Sequence, residues 1–229
     1  MKIAILTLFP LAFENVFSES IIKKAQDKKL LKITLVDIRN FAHDKHQKVD
    51  DKPYGGGKGM LLKVDVLVEA IESIKEKPYI ILLSPSGKTF NQKKALGLSQ
   101  KKSLAIICGH YEGIDSRIEE FVDEVISIGD FVLTGGEIAA MIIVDSVARL
   151  IPGVIHPESL ETESFSPKYA KEKSGGFRLE HPQYTRPENF RGHKVPKILL
   201  SGNHQKIDQW QKKESVKKTR KTRPELLKN

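Results

Sequence analysis

A chain of 229 residues, 39% hydrophobic and 29% charged, has the composition of a globular protein and room for one large domain or a medium domain with a small partner. No stretch approaches the roughly 20 apolar residues of a membrane span. The single cysteine, Cys108, excludes an intrachain disulfide, so a cytoplasmic location is expected. The net charge of +9 is unevenly spread. Residues 168–229 carry 17 basic and 6 acidic side chains, a net of +11, whereas the preceding 167 residues carry 21 basic and 23 acidic, a net of −2. That asymmetry points to a nucleic-acid partner held through its phosphates. A solvated lysine-rich tail would carry the same charge, but Tyr184, Phe190 and Trp210 lie among the cations and favour a folded basic module.

The chain opens with MKIAILTLFPLAFENVF, the nearest thing to a targeting segment. Pro10 and Glu14 interrupt it, so Lys2 to Leu8 reads as a buried strand. KIAILTLF, KITLVDI, YIILLS and SLAIIC are compact runs rich in Ile, Leu and Val, the pattern of strands buried on both faces. Between and after them, helical patterns are expected near 12–29, 64–75, 91–99 and 115–122. A last helix runs from about Glu137 to Leu150, beginning after Gly135 and Gly136 and stopping before Pro152. The βαβα order predicts an α/β domain with a mostly parallel sheet over residues 1–155. Residues 156–176 are polar and unpatterned and read as a flexible interdomain linker. Residues 177–229 read as a small, mainly helical, basic domain, with Ser201 or Asn203 as a helix cap.

Three glycine-bearing segments stand out. DDKPYGGGKGM (50–60) contains Gly-Lys, but Gly59 stands where a P-loop requires Ser or Thr, so it is no triphosphate cradle. An ordinary Rossmann fold places glycines straight after its first strand, and LTLFPLAF has none there. The glycines cluster later, in CGHYEGID (108–115) and SIGDFVLTGGE (127–137), with SPSG (84–87) as a third turn. Backbone at such glycines can approach a ligand closely, and a helix opening after Gly136 adds a positive dipole end. Tight turns alone would explain each segment, but together they favour a ligand cleft. His43 and His46 in HDKHQKVDD are weak evidence for zinc and fit a mobile lid or a polyanion contact better. Cys108, inside LAIIC, reads as a packed core thiol.

Taken in order, these segments resemble one family, the bacterial tRNA (guanine-N1)-methyltransferases that act at position 37, beside the anticodon. The resemblance is carried by LTLFP, the run from FAHDKH through VDDKPYGGGKGM, LSPSG, CGHYEGID, SIGDFVLTGGE and DSVARLIPGV, then HPQYTRPE and LLSGNH. It implies a knotted (trefoil) α/β methyltransferase fold, in which the chain near the late glycine loops threads through an earlier loop. It also implies a homodimer with a shared active site, tRNA as substrate and S-adenosylmethionine as methyl donor. By that likeness the cofactor would lie against Leu82, Leu83, Ser84 and Pro85, then Gly109, Tyr111, Glu112 and Gly113. The third wall would be Ile128, Gly129, Asp130, Phe131, Val132 and Leu133, with Gly135 and Gly136. The family often has tyrosine where this chain has Leu82. In the terminal module Ser201, Gly202, Asn203 and His204 would contact tRNA.

Guanine N1 carries a proton at neutral pH and cannot attack a methyl sulfonium until that proton leaves. The reaction therefore asks for a carboxylate base near N1 and a cation near O6. The family base is an aspartate in a segment ending D-S-F, and ETESF puts Glu163 at the matching position. The alignment there needs a gap, so Glu161 is the alternative. Arg149 matches the family arginine for O6, although the residues alone suggest a surface pair with Asp145. The family's reaction is helped by magnesium (Mg2+), with Glu112 the candidate to hold it. Two other readings stay open: a related knotted enzyme with another RNA target, and a tRNA-binding protein weakened in catalysis by the Asp-to-Glu change.

Overall fold

Unbroken apolar runs organise the first half of the molecule, as strands buried on both faces require. The computed structural model describes residues 1–166 and 177–227 and divides into two units, Met1–Ile155 and His156–Asn229. The strands of the first unit are β1 (Lys2–Thr7), β2 (Lys32–Asp37), β3 (Asp50–Asp51), β4 (Leu61–Leu62), β5 (Tyr79–Thr89), β6 (Ser103–Ile107) and β7 (Glu124–Ser127). Five of them form one wholly parallel sheet in the order β2-β1-β6-β5-β7, and β3 pairs antiparallel with β4. The helices are α1 (Glu14–Phe17), α2 (Ser20–Asp27), α3 (Val64–Glu72), α4 (Gln92–Ser99) and α5 (Glu137–Ala148).

Successive side chains of each strand enter opposite layers. Ile3, Ile5, Ile81, Leu83, Leu104 and Ile106 pack with α2, α4 and α5 on one face. Leu6, Leu82, Ala105 and Ile107 pack with α3 on the other. Both faces are dry, which is why the strands appear in the sequence as unbroken apolar runs. Burying each large aliphatic side chain contributes about 1.5–3 kcal/mol. Helix α5 is apolar nearly all round: Ala140, Ile143, Val144 and Val147 are buried, while Ile138 and Ile142 on another side stay exposed.

Three expected elements differ in detail. The helix expected over 12–29 is a 3-10 turn (Pro10–Phe13) followed by α1 and α2, broken at Ser18 and Glu19. Ahead of the break, Phe13 and Phe17 stack at 5.4 Å inside the core, and across it Gln26 donates to the Phe17 carbonyl at 2.9 Å. The segment 115–122 is a 3-10 turn (Ser116–Phe121) begun by Asp115, whose carboxylate accepts from the Arg117 amide at 3.0 Å. Strand β5 runs beyond YIILLS to Thr89, through the SPSG turn.

In the second unit, α6 (Pro157–Thr162) lies inside the span expected as a linker; residues 167–176 of that span are outside the described residues. Pro157 opens α6 where a helix needs no amide donor. A two-stranded hairpin, β8 (Asn189–Phe190) and β9 (His193–Lys194), precedes the long α7 (His204–Thr222). Residues 177–180 lie along α7: the Leu179 amide donates to Thr219 Oγ1 at 2.9 Å and Ser215 Oγ donates to the Leu179 carbonyl at 2.6 Å. Among the described residues no helix is long and apolar enough to cross a membrane.

Candidate active site

The carboxyl ends of β5, β6 and β7 open into a cleft of about 350 Å³. Small-molecule sites occupy roughly 300–1,000 Å³, and in parallel sheets they sit at this end of the strands. The first wall comes from β5. Leu83 and Lys88 both pair with Ile126 of β7, so residues 84–87 bulge out of the sheet. Gly87 permits the return: a Cβ there would stand 2.5 Å from the Ile126 amide nitrogen. The bulge is braced by Ser84 and Ser86, whose hydroxyls lie 2.9 Å apart.

The second wall follows β6. Tyr111 and Gly113 adopt positive φ (61° and 141°), turning the chain sharply after Gly109. This turn is laced to the loop between β3 and β4: the Glu112 amide donates to the Met60 carbonyl at 3.2 Å and the Leu62 amide to the Gly113 carbonyl at 3.0 Å. Gly59 lies so close to the Glu112 side chain that a Cβ would meet its Cγ. The GGGKGM loop thus braces the turn that carries Glu112 and Gly113 into the cleft.

The third wall runs from β7 into α5. Ser127 Oγ donates to the Gly129 carbonyl at 3.0 Å, and the Gly136 amide donates to the Gly109 carbonyl at 2.8 Å. A Cβ on Gly136 would lie 2.7 Å from Cys108 Cα, so only glycine lets the start of α5 rest on the end of β6. Beneath it, Thr7 Oγ1 donates to the buried Glu137 carboxylate at 2.7 Å and accepts from the Phe9 amide at 2.9 Å. Cys108 is fully buried there. Loss of water, and then the Glu137 charge, push its thiol pKa well up, so it stays protonated and unreactive.

Leu82, Leu83, Ser84, Pro85, Gly109, Tyr111, Glu112, Gly113, Ile128, Gly129, Phe131, Val132, Leu133, Gly135 and Gly136 all line this one cleft. Asp130 does not; it points outward from the same loop. The apolar wall of Leu82, Leu83, Ile126 and Leu133 beside backbone at three glycines suits a flat heteroaromatic ring with polar substituents, as S-adenosylmethionine requires. Ser86, His110, Thr134 and Ala139 also line it. Their neighbours in the glycine motifs were the only signal in the sequence. Among the described residues no three His, Cys, Asp or Glu side chains are grouped to hold a metal. His43 instead meets the Glu69 carboxylate at 2.8 Å.

The remaining candidates lie elsewhere. Arg149 caps the carboxyl end of α5, beyond the 12 residues of the helix that separate it from Gly136, which is about 20 Å along a helix. Glu163 closes α6, half-buried, in a turn tied down by the Phe165 amide donating to the Arg178 carbonyl at 2.8 Å; Glu161 is exposed. Asn203 caps α7, its Oδ1 accepting from the Lys206 amide at 3.1 Å, and Ser201 Oγ donates to the Ile198 carbonyl at 2.7 Å. Gly202, with φ 68°, makes the turn between them, and His204 is the first residue of α7.

A family model described as tRNA (Guanine-1)-methyltransferase TrmD matches residues 1–229. A tRNA (guanine-N(1)-)-methyltransferase of Carboxydothermus hydrogenoformans is 55% identical over 231 residues, covering 100% of this chain and 88% of the relative. Enzymes of the same description from Dehalococcoides mccartyi (54% identical, 99% of this chain and 90% of the relative) and Listeria monocytogenes (51%, 100% and 93%) are also similar.

Proposed function

Because the chain belongs to the tRNA (guanine-1)-methyltransferase family, we propose that it transfers a methyl group from S-adenosylmethionine to N1 of guanine 37 in tRNA, in the cytoplasm. The observation that carries this reading is the single cleft built by three glycine-bearing walls at the ends of β5, β6 and β7. The cofactor supplies an electrophilic methyl group on a sulfonium. Leu82 and Leu83 cover its apolar parts, and backbone at Gly109, Gly135 and Gly136 approaches its polar edge. Glu163 accepts the N1 proton. RNA covering that turn would exclude water from the transfer. Arg149 stabilises the charge that develops on O6. Glu112, with no second acidic or histidine ligand grouped beside it among the described residues, would hold magnesium only together with groups of the substrate.

The same reading includes a homodimer with shared active sites. It is supported by the position of Arg149, too far along α5 to serve its own cleft, so that a second copy would bring the arginine to it. Exposed Ile138 and Ile142 on α5, and Leu11 on the adjoining turn, offer apolar surface for that pairing. The knotted path belongs here too, supported by membership of the family. Ser201 to His204 start α7 and stand as tRNA contacts at its entrance. The test is methyl transfer from labelled S-adenosylmethionine to matched tRNA transcripts with guanine or adenine at position 37. Label should enter only the first, and equal labelling of both would overturn the assignment.

A further inference from the structure

Among the described residues one buried side-chain atom has no hydrogen-bond partner, Nδ1 of His110. His110 lines the cleft in the turn after β6. Its imidazole is held between Phe9 and Tyr111, at 4.9 Å and 5.0 Å between ring centroids. Nδ1 borders a notch that Gly135 leaves open: a Cβ on Gly135 would stand 2.8 Å from Nδ1 and would overlap Oε2 of Glu137. The Glu137 side chain is buried. Its Oε1 accepts from Thr7 Oγ1 at 2.7 Å, while Oε2 accepts no hydrogen bond among the described residues. Thr7 Oγ1 in turn accepts from the Phe9 amide at 2.9 Å, and the Phe9 ring packs on His110. The contacts run from Glu137 to Thr7, to Phe9, to His110, and one link would close the circuit.

A buried nitrogen beside a buried carboxylate oxygen, each short of a partner, costs free energy unless the two can meet. Gly135 keeps the space between them open, because any side chain there would fill it. We propose that His110 is a positioning residue for the cofactor, its Nδ1–H donating to Glu137 Oε2 across the Gly135 notch when S-adenosylmethionine fills the cleft. His110 and Gly135 border the notch and line the cleft as well. A ligand seated against them excludes solvent from the carboxylate and leaves donor and acceptor only each other. The link ties the turn after β6 to the first residue of α5 and, through Thr7, to the end of β1. It holds the second and third walls together around the cofactor. Since it stays made throughout the transfer, it contributes to binding and not to the chemical step.

This proposal rests on the reading of the cleft as the cofactor site, and its test separates the two. In full-length protein, His110→Phe keeps an aromatic ring between Phe9 and Tyr111 but removes the donor. His110→Asn gives up the ring but carries an amide donor close to the place of Nδ1. Calorimetric Kd for S-adenosylmethionine should rise about 10-fold in His110→Phe, as for one hydrogen bond to a charged group, and only about 2- to 3-fold in His110→Asn. KM for the cofactor should follow, with kcat at saturation within about 2-fold of the parent. Equal affinities in the two variants, or the reverse order, would reduce His110 to ring packing and overturn the link. Nitrogen-15 labelling of histidine in the unaltered protein gives a readout that needs no variant to bind. Of its seven imidazoles, the one missing from the spectra of the variants should gain a solvent-protected Nδ1–H signal on saturation with S-adenosylmethionine. Absence of that signal in the saturated protein would also overturn the link and leave the enzyme reading intact. Failure of the unaltered protein to bind S-adenosylmethionine at all would sink the reading of the cleft itself.

Discussion

The cleft of the first unit and the basic helix of the second solve recognition in opposite ways. In the cleft, single backbone positions decide. Gly87 and Gly136 stand against neighbouring main chain where one added carbon would collide, at 2.5 Å and 2.7 Å. On the long helix of the second unit, Lys213, Lys217 and Arg220 are exposed, on flexible stems that face solvent. A small ligand of fixed shape rewards a rigid site, because every contact must be made at once. A phosphate backbone rewards accumulated charge, because each contact is weak, screened by salt and replaceable. The first unit should therefore fail abruptly on substitution and the second gradually.

The sharpest break is expected at the chemistry. Glu163→Gln keeps the shape of the side chain but removes its basicity, and should slow single-turnover methyl transfer by roughly 10²- to 10⁴-fold. Its binding of tRNA and cofactor should change little, since the loss belongs to the chemical step. Glu161→Gln, on the exposed side of α6, should be nearly silent; a slow Glu161 variant beside a fast Glu163 variant would reverse the roles. Next comes the rigid wall. Gly136→Val drives side-chain carbons into the end of β6 and should abolish calorimetric binding of S-adenosylmethionine while tRNA affinity persists in the other unit. Unchanged cofactor affinity would remove this wall from the site.

These expectations show what kind of information a linear sequence holds. The parallel sheet was legible because a strand buried on both faces is apolar throughout, and the walls were legible because close approach demands glycine. Every expected cofactor contact except Asp130 lines the cleft for that reason. The bulge of β5 was not legible. It arises because two residues five apart, Leu83 and Lys88, pair with one Ile126 on a neighbouring strand. The cap of α7 was legible to within two residues: Ser201 or Asn203 was expected, and Asn203 caps the helix while Ser201 braces its approach. The break in the first helical region lies beside Ser20, which adopts a positive φ of 51° that no pattern of apolar residues announces.

The least legible feature of all is the Thr7–Glu137 pair, whose partners lie 130 residues apart. It offers a milder way to probe the rigid unit. Thr7→Val keeps the shape of the side chain but leaves a buried carboxylate oxygen and the Phe9 amide each short of a partner. The expected cost is about 1–3 kcal/mol, or a loss of several degrees in Tm at roughly 2–4 °C per kcal/mol for a unit of this size. Cofactor affinity should fall with it, because Glu137 opens the helix that carries the third wall, while the salt slope of tRNA binding should not move. A variant with parental Tm would mean that the pair is dispensable to the wall.

The smallest effect tests whether the floor of that wall is dry. Burial raises the Cys108 thiol pKa well above that of an unfolded cysteine, about 8.5. Above that pH the unfolded chain releases a proton that the folded chain retains, so unfolding gains free energy and stability declines. Below it both states hold the proton and the thiol contributes no pH dependence. The slope is at most about 1.4 kcal/mol per pH unit for one group. Cys108→Ala is destabilised at neutral pH by loss of buried sulfur contacts, but it lacks this titration. Denaturant melts of the two proteins under reducing conditions at pH 7.5 and pH 10 should therefore show their stability difference shrinking, by about 1–2 kcal/mol, as the parent loses ground. A difference that holds constant across that range would mean that the folded thiol ionises as readily as the unfolded one. In that case water reaches the seam between β6 and α5, and the wall is looser than the Gly136 contact implies.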